Sequence, residues 1–326
     1  MTLIEHPNAR RHTRALLMLV VANIFWGLSF PVIKSLMLIH EQLLPEAGTW
    51  FSAIYAVGPR FPLAILLIVA WQPRGFWRFT RAELKQGGVI GLFATAGMLF
   101  QNDALQFTEA STSAFLTQFY AILIPIWFAL RTRRNPGARI WTCCVLVLAG
   151  VAILGRFDWH ELKFGRGEWE TLLASLFFMG QILWLDKKEF AGNRPGKITL
   201  VMFAVQTLMF SVLTAATMPS AGALLIPWTS GAWVGLTLIL TVFCTVGAFM
   251  LMNRWQPKIT ATEAGLIYCL EPIFASLMAA ILPGWFSAWG GISYFNERAT
   301  WTLLVGGGLI TVANILLQLK PPVRET

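Results

Sequence analysis

Charge is scarce in this 326-residue chain. Lys, Arg, Asp and Glu make up 13% of it, against about 25% in an average soluble domain. Hydrophobic residues reach 56% and the mean hydropathy is +0.62. That balance excludes an ordinary soluble enzyme. Histidine is rarer still: His6, His12, His40 and His160 all read as terminal or loop residues, and no H-E-x-x-H or G-x-S-x-G motif accompanies them. An intramembrane enzyme would need an activated nucleophile or a metal cluster within its apolar segments, so catalysis is not expected. The four cysteines, Cys143, Cys144, Cys244 and Cys269, fall inside apolar runs with no C-x-x-C pair, and they read as small packing residues. No metal site or cofactor is expected. A nucleotide-binding G-x-x-x-x-G-K-[ST] loop is missing as well, which excludes ATP-driven pumping by this chain alone.

The formal charge is +9, but the basic residues form short clusters between apolar runs and no continuous stripe, so a nucleic-acid partner is not expected. Arg10, Arg11 and Arg14 precede an apolar stretch that resembles a secretion signal. That stretch runs to about Leu38 and lacks an A-x-A exit, so it reads as a retained first span.

Charged and Pro/Gly-rich breaks divide the chain into apolar segments near 14–38, 50–71, 85–106, 110–130, 137–155, 167–188, 196–218, 230–253, 258–282 and 299–318. Each is long enough to cross the hydrocarbon as a helix, the form in which every backbone N–H and C=O finds a partner within its own segment. With the N-terminus on the cytoplasmic side, the inner segments carry 19 of the 25 Lys and Arg residues and the outer segments five, with Arg60 inside a span. Cytoplasmic loops carry such an excess. The expectation is an all-α polytopic membrane protein of ten transmembrane helices, with both tails, 1–13 and 319–326, cytoplasmic.

The two halves also share a pattern. Residues 24–34 lie over 177–187, pairing Gly27 with Gly180 and Lys34 with Lys187. At an offset of 147, Ser113 meets Thr260, Ala114 meets Ala261, Leu123 meets Leu270 and Pro125 meets Pro272. Five spans are an odd number, so the second copy enters the membrane from the opposite face. The expected architecture is two inverted five-helix repeats, 14–155 and 167–318, enclosing a site at their interface, as in secondary transporters.

Trp26-Gly27-x-Ser29-Phe30-x-x-x-Lys34, Arg60-Phe61 ahead of an Ala/Leu run, and Leu270-Glu271-Pro272 resemble the EamA-type branch of the drug/metabolite transporter superfamily. The resemblance covers essentially the whole chain. It implies an inner-membrane permease of bacterial type, often an exporter of amino acids or similar small metabolites, with helices of both halves lining a central cavity. One departure concerns Arg131-Thr132-Arg133-Arg134, which stands where the family usually has an acidic residue.

Arg60 sits near the middle of its span, where an unpaired cation costs at least about 2.5 to 3.5 kcal/mol. It is expected to contact a substrate carboxylate, or else to tie to a backbone carbonyl or to a carboxylate such as Glu271. The corresponding region of the seventh span offers only Gln206. Glu271 is a candidate for a substrate ammonium or a proton, or a partner for Arg60. Trp26, Gln118, Tyr120, Gln181, Trp184 and Tyr268 supply aromatic or polar-tipped surface in helices that the family places around the cavity. Pro125 and Pro272, with Pro31, are hinge candidates, because a proline inside a helix frees a carbonyl one turn back.

Lys34 and Lys187 are gate charges on opposite sides, or lysines snorkelling to the nearest interface. Thr260-x-x-Glu263 fits a capping box, and Gly87-x-x-x-Gly91 and Gly306–308 fit close helix packing. The only acids open to a proton pathway are Glu271 and Asp103, with no clear carboxylate pair nearby.

The expected partners are a small-molecule substrate and the lipid bilayer, with a monomer plausible. The expected function is export of an amino acid or similar amphipathic metabolite by alternating access. A non-coupled channel or facilitator, or an exporter of organic cations or drugs, is the alternative.

Overall fold

In a computed structural model, the structure describes residues 7–71, 78–108, 110–154, 165–297 and 301–318. The stretches before and after these, including most of the two tails, Arg156, Lys163 and Arg298, lie outside the described residues. Among the described residues the fold is entirely helical. The chain is a multi-pass helical membrane protein.

Its helices are α1 (Pro7–Leu43), α2 (Thr49–Val57), α3 (Arg60–Trp71), α4 (Arg81–Ala104), α5 (Ala110–Thr117), α6 (Tyr120–Thr132), α7 (Ala138–Leu154) and α8 (Arg166–Leu185). They continue as α9 (Pro195–Thr217), α10 (Gly231–Ile239), α11 (Ala248–Trp255), α12 (Ala261–Tyr268), α13 (Glu271–Ala279), α14 (Leu282–Gly290) and α15 (Trp301–Gln318). By length and apolarity, Arg10–Leu43, Thr49–Ala70, Pro195–Thr217 and Gly231–Lys258 each suffice to cross a membrane, and α12–α13 with α14, bent by 56°, make a fifth such unit.

The distribution of polarity is that of a protein dissolved in lipid. Leu66, Leu130, Trp285 and Leu304 point outward, while Asn23, Asp103, Gln181, Gln206 and Asn253 are buried. All four cysteines are free and buried.

Starts and stops follow local chemistry. Thr80 and Glu83 form a capping box at α4, and Thr260 and Glu263 form the expected one at α12. At the α4 start, Glu83 also receives Arg194 Nε at 2.7 Å and Nη2 at 3.1 Å, which ties α4 to the N-terminal end of α9.

Burial raises the Glu83 pKa. The hydrogen bonds from the Arg194 side chain and the Thr80 and Arg194 backbone N–H groups outweigh it and hold the carboxyl at about 2, against an ordinary 4.5. A depressed folded-state value means that this tie contributes stability above about pH 4.5 and loses it as the pH falls toward 2. Thermal melts from pH 7 down to 3 should therefore show wild type losing more than Glu83→Gln below pH 4.5 and none of that difference above it.

The long rods pack through small residues. A Cβ on Gly87 would lie 2.7 Å from Val201 Cβ, and one on Gly91 2.9 Å from Val205 Cβ, so α4 and α9 meet along the glycine pair expected from the sequence. Gly97 of α4 receives the Phe178 ring of α8, and Gly180 of α8 receives the Phe93 ring of α4. In the glycine run of α15, only Gly306 meets a neighbour closely, its carbonyl oxygen lying 2.6 Å from a Cβ built on Gly150.

Several helices are interrupted. α2 gives way to α3 at Gly58-Pro59, α5 to α6 at Gln118-Phe119, and α12 to α13 at Cys269-Leu270. Between α10 and α11, Leu240–Gly247 is a π-helix, a widened turn often found at functional positions. Pro125 lies inside α6, whereas Pro272 occupies the first turn of α13. Of the three hinge candidates, Pro31 and Pro125 therefore lie in a helix interior, and Pro272 follows a break that is already made.

Candidate functional site

The breaks gather the polar groups of the interior. Gln118, at the α5–α6 break, is buried and neither atom of its amide has a hydrogen-bond partner. The amide lies beside the carboxylate of Glu271, the first residue of α13, and beside the Tyr120 hydroxyl without reaching hydrogen-bond geometry to either, and Tyr268 is a further neighbour of that carboxylate. Tyr120 and Tyr268 are both buried. The Tyr268 hydroxyl donates to Gln256 Oε1 at 2.9 Å, and Gln256 in turn donates to the Ile182 carbonyl at 3.0 Å.

Trp26 of α1 stands against this group, with its ring 5.3 Å from Tyr268 and 5.6 Å from Phe249 of α11. Gln181 of α8 is buried and donates to Met252 Sδ at 3.9 Å, close to the same wall. Rings continue from Phe249 to Phe203 of α9 (6.0 Å) and from Phe203 to Phe61 of α3 (6.2 Å). One aromatic wall thus runs from the neighbours of Glu271 to the neighbours of Arg60.

Arg60 does not pair with Glu271. It opens α3 directly after the Gly58-Pro59 break, is 4% exposed, and places Nη2 3.0 Å from Met98 Sδ with the Phe61 ring beside it. Neither of the protein ties expected from the sequence, a backbone carbonyl or the Glu271 carboxylate, is made among the described residues. Trp184 lies in the last turn of α8 against Phe190 and Lys187, away from the Trp26 wall.

The two candidate gate lysines differ. Lys34, half-buried within α1, reaches the Leu105 carbonyl at 3.4 Å, whereas Lys187 lies beyond the end of α8, over the Trp184 ring. The groove of about 260 Å³ walled by Phe119, Leu123, Trp169, Leu172, Leu173 and Leu176 is open at the side of the bundle and is lined almost wholly by apolar atoms.

Two features escaped the sequence. His40 is not a loop residue: α1 continues past Leu38, and α2 folds back on its end so that Phe51 and Tyr55 enclose the imidazole. It is fully buried, and neither ring nitrogen has a partner. Asp103 also has a carboxylate neighbour after all. Arg166 at the start of α8 binds both Asp103 and, at 2.8 Å, Glu170, and its guanidinium lies over the rings of Trp50 and Phe107. In the sequence Arg166 stands just ahead of the apolar segment 167–188 and 63 positions from Asp103, so nothing there links its two acids as a pair. At the other rim, His12 Nε2 lies 2.9 Å from Glu263 Oε1, joining α1 to the capping box of α12.

Comparison with known proteins agrees with this architecture. Residues 13–156 match the EamA-like transporter family. Two proteins of Archaeoglobus fulgidus, each described as an uncharacterized transporter, are similar over nearly the full length. One is 26% identical over 93% of this chain and 85% of its own, and the other 24% identical over 95% and 97%. A protein of known crystal structure, 16% identical, shares the fold with a TM-score of 0.65 over 96% of this chain and 98% of that one.

Proposed function

From a chain that is an EamA-type permease of the drug/metabolite transporter superfamily, and so a transporter rather than an enzyme, we propose a secondary carrier that exports amino acids or similar small amphipathic metabolites. In this reading the chain crosses a bacterial-type inner membrane ten times as two inverted five-helix repeats, with both tails cytoplasmic. The substrate occupies the interface of the repeats and reaches either side by alternating access.

The observation that carries this reading is that polar side chains of both halves meet at helix breaks, the buried Gln118 and the half-buried Glu271. The Gln118 amide at the α5–α6 break lies beside the Glu271 carboxylate at the α12–α13 break but closes no hydrogen bond of standard geometry. A buried amide left unpaired costs about 1 to 3 kcal/mol, a cost that a bound solute relieves. Glu271 takes the substrate ammonium, Trp26, Tyr268 and Tyr120 cover its apolar part, and Gln118 and Gln181 complete the amide contacts. Broken helices at midplane offer solutes the same kind of backbone and side-chain polarity in other carriers. Pro31 and Pro125 permit α1 and α6 to bend during the exchange, with Lys34 and Lys187 as the charges nearest the two rims.

The test is uptake and counterflow in proteoliposomes with a panel of amino acids and organic cations. Saturable transport with trans-stimulation by unlabelled amino acid is expected. Glu271→Gln should lower it about ten- to a hundredfold, the cost of one charge-assisted contact. Conductance that never saturates would instead indicate a channel, and transport restricted to organic cations would indicate a drug exporter.

A further inference from the structure

Arg60 and Gln206 come from different halves of the chain, on α3 and α9, yet both point at one atom. Arg60 Nη2 lies 3.0 Å from Met98 Sδ, and Gln206 Nε2 donates to the same sulfur at 3.6 Å. Both side chains are more than nine-tenths buried, at 4% and 0% exposure. Both are also incompletely paired, since Arg60 Nε and Gln206 Oε1 have no hydrogen-bond partner. A thioether is a weak acceptor and a guanidinium carries five N–H donors in a fixed fork. No carboxylate of the described residues forms an ion pair with Arg60, and the thiol of Cys244 also lies near it. A full positive charge in a water-poor interior therefore rests on a sulfur and an aromatic face, with an amide aimed at the same point. The protein supplies two converging donors and no acceptor of matching strength.

We propose that Arg60 and Gln206 form one anion subsite, shared by the two halves, that takes a carboxylate group. One oxygen replaces Met98 Sδ on the guanidinium and the other accepts from the Gln206 amide. The carboxylate belongs either to the transported molecule, a source that rests on the carrier reading above, or to a free monocarboxylate. The aromatic wall ending at Phe61 makes the subsite continuous with the surface around Trp26 and Tyr268.

The experiment needs no transport. Purified protein is titrated with sodium acetate while its thermal unfolding is followed, with sodium chloride at the same ionic strength as the control. Wild type should show a saturable rise in Tm with acetate that chloride does not reproduce. Gln206→Leu should weaken apparent acetate affinity about tenfold, as expected for one hydrogen bond to a charged group, and Arg60→Met should abolish it. Met98→Leu keeps both donors and removes only the sulfur, so if Arg60→Met does not fold, retained acetate binding in Met98→Leu together with its loss in Gln206→Leu carries the test. An acetate response equal to chloride in wild type, or undiminished in Gln206→Leu, overturns the subsite.

Proteoliposomes then separate the sources. With leucine as probe, competition by acetate and failure of leucine methyl ester to be carried assign the carboxylate to the substrate. Equal transport of leucine and its methyl ester with stimulation by acetate assigns it to a free anion. Acetate binding without any leucine transport keeps the subsite and counts against the amino acid reading.

Discussion

Gly27→Leu is expected to leave no monodisperse protein in detergent and no transport in membranes, whereas Gly48→Ala, made as a control, behaves as wild type. A Cβ built on Gly27 would lie 2.7 Å from Phe274 Cβ and 2.8 Å from the Ala275 backbone nitrogen, while one on Gly48 meets nothing within 4 Å. The close neighbours of Gly27 belong to α13, and one of them is backbone, which cannot swing aside. Overpacking a well-filled contact costs about 1 to 3 kcal/mol when side chains can adjust. Here the helix axes themselves must separate, so the upper end applies. Gly27 also lies four residues before Pro31, whose ring cannot donate to the Gly27 carbonyl, and α1 is therefore already weakened where α13 crosses it. Size-exclusion profiles of Gly27→Ala, Gly27→Val and Gly27→Leu should deteriorate in that order. A sharp wild-type-like peak for Gly27→Leu would mean that α1 and α13 are not in backbone contact.

Arg166→Ala is expected to destabilise the protein strongly, and the double substitution Arg166→Ala with Asp103→Asn to recover most of that loss. Arg166 is the cation shared by Asp103, whose side chain is fully buried, and Glu170, which is 14% exposed. Its removal leaves two neighbouring acids without a counter-charge. Breaking a buried pair by deleting one partner typically costs about 3 to 5 kcal/mol, most of it from the charge left behind. Because the guanidinium is itself 43% exposed, water replaces part of what is lost and the lower end of that range applies. Neutralising Asp103 removes the stranded charge, which is why the double variant should recover. Chemical denaturation of all three variants and wild type closes the cycle. A double variant no more stable than Arg166→Ala alone would show that Arg166 acts through its stacking on Trp50 and Phe107 and not through its charge.

The helices were legible in the sequence because apolar runs separated by charge are a strong signal, and every apolar segment read there coincides with helix in the described residues. The capping boxes at Thr260 and the Gly87/Gly91 seam were legible for similar reasons, since each is a contact between residues three or four positions apart or a face set by such spacing. The breaks were less so. Proline marks a helix that lacks one hydrogen bond, but the interruptions at Gln118-Phe119 and Cys269-Leu270 carry no proline of their own and arise from packing against other helices.

Long-range partners were not legible at all. Asp103 and Arg166 are 63 positions apart and Arg60 and Met98 are 38 apart, and no periodicity links such residues. Charge alone points Arg60 to Glu271, and the fold gives the guanidinium a methionine instead. Likewise, His40 read as a loop residue because the apolar run before it ends near Leu38, although helical hydrogen bonding does not.

The burial of Cys143, Cys144, Cys244 and Cys269 has a practical corollary. Maleimide reagents added to intact cells or sealed vesicles meet no native thiol on the surface, so the unaltered chain already serves as its own silent background. A single cysteine placed at Gly48 or Gly192, where a side chain meets open space, then reports which face of the bilayer each turn occupies without the burden of a cysteine-less parent.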